Sequence, residues 1–355
     1  MQTLTKSLLA TALAVATGLS QADDIPRTSE GLPDLTGNYD IATLTPLERP
    51  RAFGDNLYLT QEQAEKMAAD EQQRMDEGDQ ASDPNRGAPP TGGDGSRGAA
   101  GNVGGYNTFW IDRGTDAFAV DGKFRTSIIY EPKNGRRPPS TKEGARRMFD
   151  FFSRFRHNKG VAWWLEVDGP GPYDNPESLT LSDRCLLGFG STAGPPMLPV
   201  LYNNVKRIVQ TPDKVMILSE MVHDARIIRL NSKHLPDDVR KWLGDSIGHW
   251  EGDTLVVETT NFTDQPALYG ASRDLKVVER FTMKDKNTLL YNFTVTDPGA
   301  WVKPWSGELP FPKTEHRVYE YACHEGNYSM GNMLRGARLL ENEAQQKQQG
   351  SDAGE

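Results

Sequence analysis

Short β-branched and apolar runs with no helical period recur over residues 205–296, a sustained strand pattern. Segments 205–210, 214–221 and 225–230 read as strands with short connections. At the centre lies 245–262, DSIGHWEGDTLVVETTNF, where Trp250-Glu251-Gly252-Asp253 is a turn signal and the β-branched run 254–260 follows at once as a strand. Segments 275–283 and 288–296, joined by Lys284-Asp285-Lys286-Asn287, predict the next hairpin. Segments 106–111 and 124–130 are also strand-like, and 317–322 is expected to close the set. The pattern predicts a mainly β fold, an antiparallel meander or lipocalin-like barrel with a few short helices.

Helical periodicity is confined to short stretches. Thr60 is an N-cap candidate with Gln63 three residues on, opening a helix to about residue 76. Segment 141–157 reads as a helix with Arg146, Arg147, Arg154 and Arg156 on a solvated side and Met148, Phe149, Phe152 and Phe155 on the other. Pro236-Asp237-Asp238 predicts a third, short helix over 235–243. From about 339 the chain is helical at first and then frays. Residues 77–104 are rich in Gly, Pro, Asp and Ser and predict a flexible surface loop. The expected division is a signal peptide over 1–22, an extended segment with one helix and that loop over 23–104, a β-rich domain over 105–338, and a tail over 339–355.

Charge and the N-terminus set the compartment. Lys6, the apolar run 7–19 and Ser20-Gln21-Ala22 have the form of a secretory signal, which predicts a soluble periplasmic or secreted protein with no membrane span. Two cysteines, Cys185 and Cys323, predict one disulfide in such a protein. A net charge of −9, with no basic stripe, argues against nucleic acid as a partner.

Four constellations carry candidate chemistry. Glu220, His223 and Arg226 lie within seven residues at a strand junction, where a His–carboxylate pair is suited to general base work; the plainer reading is a polar turn. A Cys185–Cys323 bridge would bring His324 and Glu325 beside Asp183 and Arg184, either as a site or as an anchor for the bridge. His249 and Glu251 flank Trp250 at the mouth of the central strand, as a binding edge or a capped turn. Trp242, Trp250, Trp301 and Trp305 supply flat surfaces for a ligand or for the core. The histidine spacings match no metal motif, and no phosphate loop, nucleotide fingerprint or Gly-x-Ser-x-Gly elbow is present, so neither metal nor cofactor is expected.

The stretch 242–262, with Val278-Glu279-Arg280-Phe281, 294–298 and Pro304-Trp305, resembles the signature of a large group of secreted bacterial proteins without an assigned activity. Many members carry His-Ser-Glu shortly before the Glu-Arg-Phe strand, where this chain has Ala271-Ser272-Arg273. The resemblance implies compartment and architecture. The functional expectation is an exported enzyme acting on a small organic or carbohydrate-like substrate by general acid–base chemistry, a lyase or hydrolase. In it His223, His324, Glu325 and Glu220 handle protons, while Asp183, Arg184, Arg226, Trp250 and His249 bind substrate. The alternatives are a non-catalytic lipocalin-like binder of a small-molecule ligand and, behind it, an envelope interaction protein.

Overall fold

A computed structural model describes residues 25–79, 85, 87, 110–153 and 160–352. The expected signal peptide, most of the 77–104 loop and the start of the 106–111 strand lie outside them. In chain order the elements are β1 (Gly37–Asp40), α1 (Gln61–Gly78), β2 (Ala119–Val120), β3 (Lys123–Phe124), β4 (Ile129–Glu131) and α2 (Lys142–Ser153). Then come β5 (Val205–Gln210), β6 (Lys214–Ser219), β7 (Ala225–Leu230), β8 (Asp245–Glu251), β9 (Thr254–Thr260), β10 (Lys276–Met283), β11 (Thr288–Thr296), β12 (Trp305–Pro312) and α3 (Tyr328–Asp352).

Ten strands form one sheet in the order β1-β5-β6-β7-β8-β9-β10-β11-β12-β4. The strands from β5 onward follow chain order, the meander predicted from the apolar runs and turn signals, except that β7 and β8 pair in parallel. Gly252 and Asp253 make the two-residue turn between β8 and β9, with Gly252 at φ +59°, a conformation that glycine adopts without steric cost. The sheet curls until Tyr39 of β1 bridges Lys313, just past β12, while β4 takes the other half of the β12 edge. Two short strands thus cover one long edge that is otherwise open to association.

The concave face is filled by side chains. Tyr39, Ile208, Ile228, Val257, Phe281, Tyr291, Leu309, Phe311 and Trp305 are all at most 1% exposed. The Tyr291 ring lies 5.1 Å from Phe281, 5.6 Å from Phe293 and 4.9 Å from Phe311, centroid to centroid. These rings occupy the space in which a lipocalin-like barrel would carry its ligand.

Three local expectations are corrected. Segment 235–243 is not helical. The Leu235 N–H donates to Asp245 (3.0 Å), the Leu235 and Pro236 carbonyls accept from Asn261 Nδ2 (3.0 and 3.1 Å), and the Lys241 N–H donates to Asn261 O (3.0 Å), so tertiary partners take groups a helix would use. Segment 317–322 joins no strand, and the last strand is β12 instead, in which Pro310, Pro312 and Gly307 obscure the pattern. In α2 the expected faces hold for exposed Arg146 and half-buried Met148 but not for the phenylalanines or Arg147. Phe149 and Phe152 are 71% and 50% exposed, whereas Gly144 is buried and Arg147 half-buried. A Cβ at Gly144 would meet Ala300 O at 2.4 Å, and that close approach fixes which way the helix is turned. Residues 154–157 of the expected helix lie outside the described residues. The predicted capping box of α1 forms: Thr60 Oγ1 accepts from the Gln63 N–H at 3.2 Å and Gln63 Oε1 from the Thr60 N–H at 2.9 Å. The C-terminal helix α3 continues to Asp352.

Candidate functional site

The sharp turn between β6 and β7 carries Glu220 and His223, and Arg226 follows it as the second residue of β7. Val222 and His223 both take left-handed backbone angles, φ +57° and +45°. For a β-branched valine this is an uncommon, strained conformation, of the sort that persists only where the surroundings enforce it. Buried Met221 and Val222 anchor the turn and leave His223 exposed. Glu220 is buried, and its Oε1 accepts from the Tyr319 N–H at 3.3 Å.

Beneath the turn lies a lysine that sequence reasoning missed. Lys206 is fully buried on the concave face of β5, and its Nζ donates to Ser219 Oγ at 2.7 Å. Burial pushes its amine down to about 7, against the pull of Glu220, Asp40 and Asp224. Asp224 is pushed up to about 7 by desolvation, which the Lys206 charge opposes, and its Oδ2 is buried without a hydrogen-bond partner. Alternation along β5 places Lys206 on the same face as Ile208, a signal overlooked because lysine on a strand reads as exposed.

Arg226 points inward and not toward solvent. Its Nη2 donates to Glu279 Oε1 at 2.8 Å and its Nη1 to Oε2, both residues being almost fully buried. Tyr291 Oη donates to Glu279 Oε1 at 2.8 Å and accepts from the Met197 N–H at 3.0 Å. Its guanidinium is committed to this internal network.

The Cys185–Cys323 disulfide forms, with the Cα atoms 5.7 Å apart. It brings the two predicted segments side by side: Asn327 Nδ2 donates to Asp183 O at 2.7 Å. The Asp183 carboxylate accepts from Thr180 Oγ1 at 2.6 Å, and Arg184 is half-buried beside the bridge. His324 and Glu325 are exposed and make no side-chain hydrogen bond or ion pair with the described residues. At the other end of the sheet, His249 and Glu251 share the exposed face of β8, 3.2 Å apart, and Glu251 also binds Arg280 at 2.8 Å. Trp250 turns the other way and packs against the core, with Trp301 and Trp305 inside it.

A largely apolar concavity lies elsewhere, against α2. It is a cleft of about 240 Å³ between Arg147, Asp150 and Phe151 of α2, the 180–190 loop and the 264–271 loop. Leu181, Leu187, Pro266, Ala267 and Leu268 make much of its wall apolar. The Tyr269 ring lies 4.4 Å from Phe151, and its Oη accepts from the Gly190 N–H at 2.9 Å, joining the two loops. Burial raises the Tyr269 phenol above its ordinary value, the Gly190 hydrogen bond opposes this and the Asp183 charge adds to it, so the hydroxyl keeps its proton. Ser272 holds the 264–271 loop in place through buried Asp297, which accepts from the Ser272 N–H (2.6 Å) and Oγ (2.8 Å) and from the Gly299 N–H (3.0 Å). Arg147 closes the arrangement from the helix side: its Nε donates to Gly270 O at 3.2 Å and its Nη2 to Gly299 O. The cleft is assembled from three segments distant in sequence; the stretch Leu181-Ser182-Asp183-Arg184-Cys185 and the triplet Ala271-Ser272-Arg273 are its links to the residues the sequence singled out.

No known protein-family model, no curated protein and no solved structure matches this chain. Among the described residues no group of His, Cys, Asp and Glu is arranged to hold a metal ion. No described helix is long and apolar enough to cross a membrane.

Proposed function

We propose that this protein is an exported, non-catalytic binder of a small organic molecule, and that the ligand sits in the cleft between α2 and the 180–190 and 264–271 loops. One observation carries the reading. The cleft combines an apolar wall with a few fixed polar groups, while the histidines nominated for proton transfer, His223 and His324, do not line it. That is the composition of a binding site, and the histidines expected to move protons stand away from it. Its volume falls slightly below the range of about 300–1,000 Å³ common for ligand sites, which suits a molecule of one or two rings. The disulfide supports export, because such bonds persist in oxidising compartments.

A second reading, a lyase or hydrolase, rests on the strained Val222–His223 backbone above the buried Lys206–Asp224 pair. Amide chemical shifts recorded during a screen of small aromatic and alicyclic fragments separate the two. The binder predicts perturbations concentrated in 147–151, 180–190 and 264–271. Perturbations concentrated in 219–226 instead would sink it in favour of the enzyme.

A further inference from the structure

The chemistry of the same cleft narrows the ligand class, and this step rests on the binding reading above. Two carboxylates stand on its rim, and each already faces an arginine: Asp150 lies 3.6 Å from Arg146, and Asp264 lies 3.7 Å from Arg273. Arg147 is the one cation among the described residues lining the cleft. Its hydrogen bonds go to the neutral carbonyls of Gly270 and Gly299, and no carboxylate among the described residues forms an ion pair with it. Tyr269 is the second donor. Its oxygen is occupied as an acceptor by the Gly190 N–H, and no acceptor for its own hydroxyl proton stands among the described residues. Phe151, against the Tyr269 ring, supplies an aromatic wall beside these two donors.

We infer that the cleft binds a small aromatic carboxylic acid, its carboxylate held by Arg147 and Tyr269 and its ring against Phe151. A carboxylate offers two oxygens with several lone pairs, enough for a guanidinium and a hydroxyl together. One unit of negative charge matches the single guanidinium. A phosphate dianion in the same place would leave about one negative charge unbalanced beside Asp150 and Asp264. The apolar side chains of Leu181 and Leu187 offer a further surface to a ring.

Benzoate and benzamide, alike in shape and different in charge, are the probes. Titration of the intact, oxidised protein followed by amide chemical shifts should give benzoate an affinity at least about tenfold higher than benzamide, with shifts at residues 147–151, 180–190 and 264–271. Tyr269→Phe keeps the ring and removes the hydroxyl; Arg147→Gln keeps most of the side-chain length and removes the charge. Each should weaken benzoate about fivefold or more and weaken benzamide by a clearly smaller factor, because both side chains also hold the cleft loops. Equal affinity for the two probes in the wild type overturns the acid inference and leaves the binding cleft standing. Failure of both probes to perturb the cleft residues overturns the two together. Should Arg147→Gln fail to fold, the wild-type comparison and Tyr269→Phe decide.

Discussion

Arg226 and Glu279 form a two-pronged ion pair inside the curl of the sheet, 53 residues apart in sequence and with side chains 3% and 0% exposed. Burial works against the Arg226 charge, and the Glu279 carboxylate more than restores it, holding the guanidinium above its ordinary pKa. The pair sits among the rings of Tyr291 and its neighbours, where an unpaired charge has no water to turn to. Removing one partner is therefore costly, although the pair as a whole contributes little net stability. Arg226→Met and Glu279→Met are each expected to lower unfolding free energy by about 3–5 kcal/mol in urea titrations, and the Met/Met double variant by clearly less than the sum. Single losses under about 1 kcal/mol would show that water reaches the pair.

The same residue shows where sequence reading succeeds and where it stops. The β-branched, apolar runs identify β5, β7, β9 and β11 to within a residue, and in β7 and β11 one face is buried and the other is not. It does not say which polar residue faces inward. Arg226 and Lys206 both look like surface charges until the register with β6 places them on the inner face. Strand β12 was illegible because two prolines and a glycine fall within its eight residues, tolerable here because its outer edge is only partly paired. The cleft was illegible for a different reason. Its parts meet through Arg147, Ser272 and Asp297, and the rotation of α2 depends on one glycine pressed against Ala300. The Cys185–Cys323 link, by contrast, needed only a cysteine count and an expected compartment.

The Lys206–Asp224 pair predicts opposite pH trends on its two sides. Folding raises the Asp224 carboxyl from 3.8 to about 7, so between these values the native state binds more protons than the unfolded chain. Its contribution to stability is present below pH 3.8 and is lost as the pH rises through about 7. Lys206 falls from 10.5 to about 7, so above neutrality the unfolded chain binds more protons and stability recovers toward pH 10.5. Wild type compared with Asp224→Asn should therefore lose relative stability from about pH 4.5 to 7, and compared with Lys206→Met should gain it from about pH 7.5 to 10. Urea midpoints across that range measure both differences; flat differences would mean that both groups titrate as in water.

Asp245 organises the start of β8 and the loop before it. Its carboxylate, 1% exposed, accepts from Arg229 Nη2 (2.7 Å), the Leu235 N–H (3.0 Å) and Lys241 Nζ (3.1 Å), with His234 Nδ1 at 3.2 Å. Burial opposes its charge, and these donors outweigh burial and hold its pKa below the ordinary value. Its stabilising contribution is accordingly present above pH 3.8 and lost as the pH falls below it. Asp245→Asn should cost about 2–4 kcal/mol at pH 7 by urea unfolding, since an amide cannot accept from all of these donors. The same comparison at about pH 3 should show a smaller deficit.

The disulfide should govern the cleft as well as stability. It closes a loop of 138 residues, for which the chain-entropy estimate is about 4–5 kcal/mol. Cys185 stands in the 180–190 loop that forms one wall of the cleft, and Cys323 leads, through Asn327, into α3. Cutting the bridge releases that wall from its support while leaving Arg147, Phe151 and Tyr269 in place on the other two. Cys185→Ser/Cys323→Ser should therefore lower the thermal midpoint by several degrees and weaken benzoate binding by about threefold to tenfold at a temperature where the variant is fully folded. The two effects are separable because binding is read on folded protein alone. A variant that melts early yet binds benzoate as tightly as wild type would show that Tyr269, through its hydrogen bond to Gly190, is enough to hold the loop.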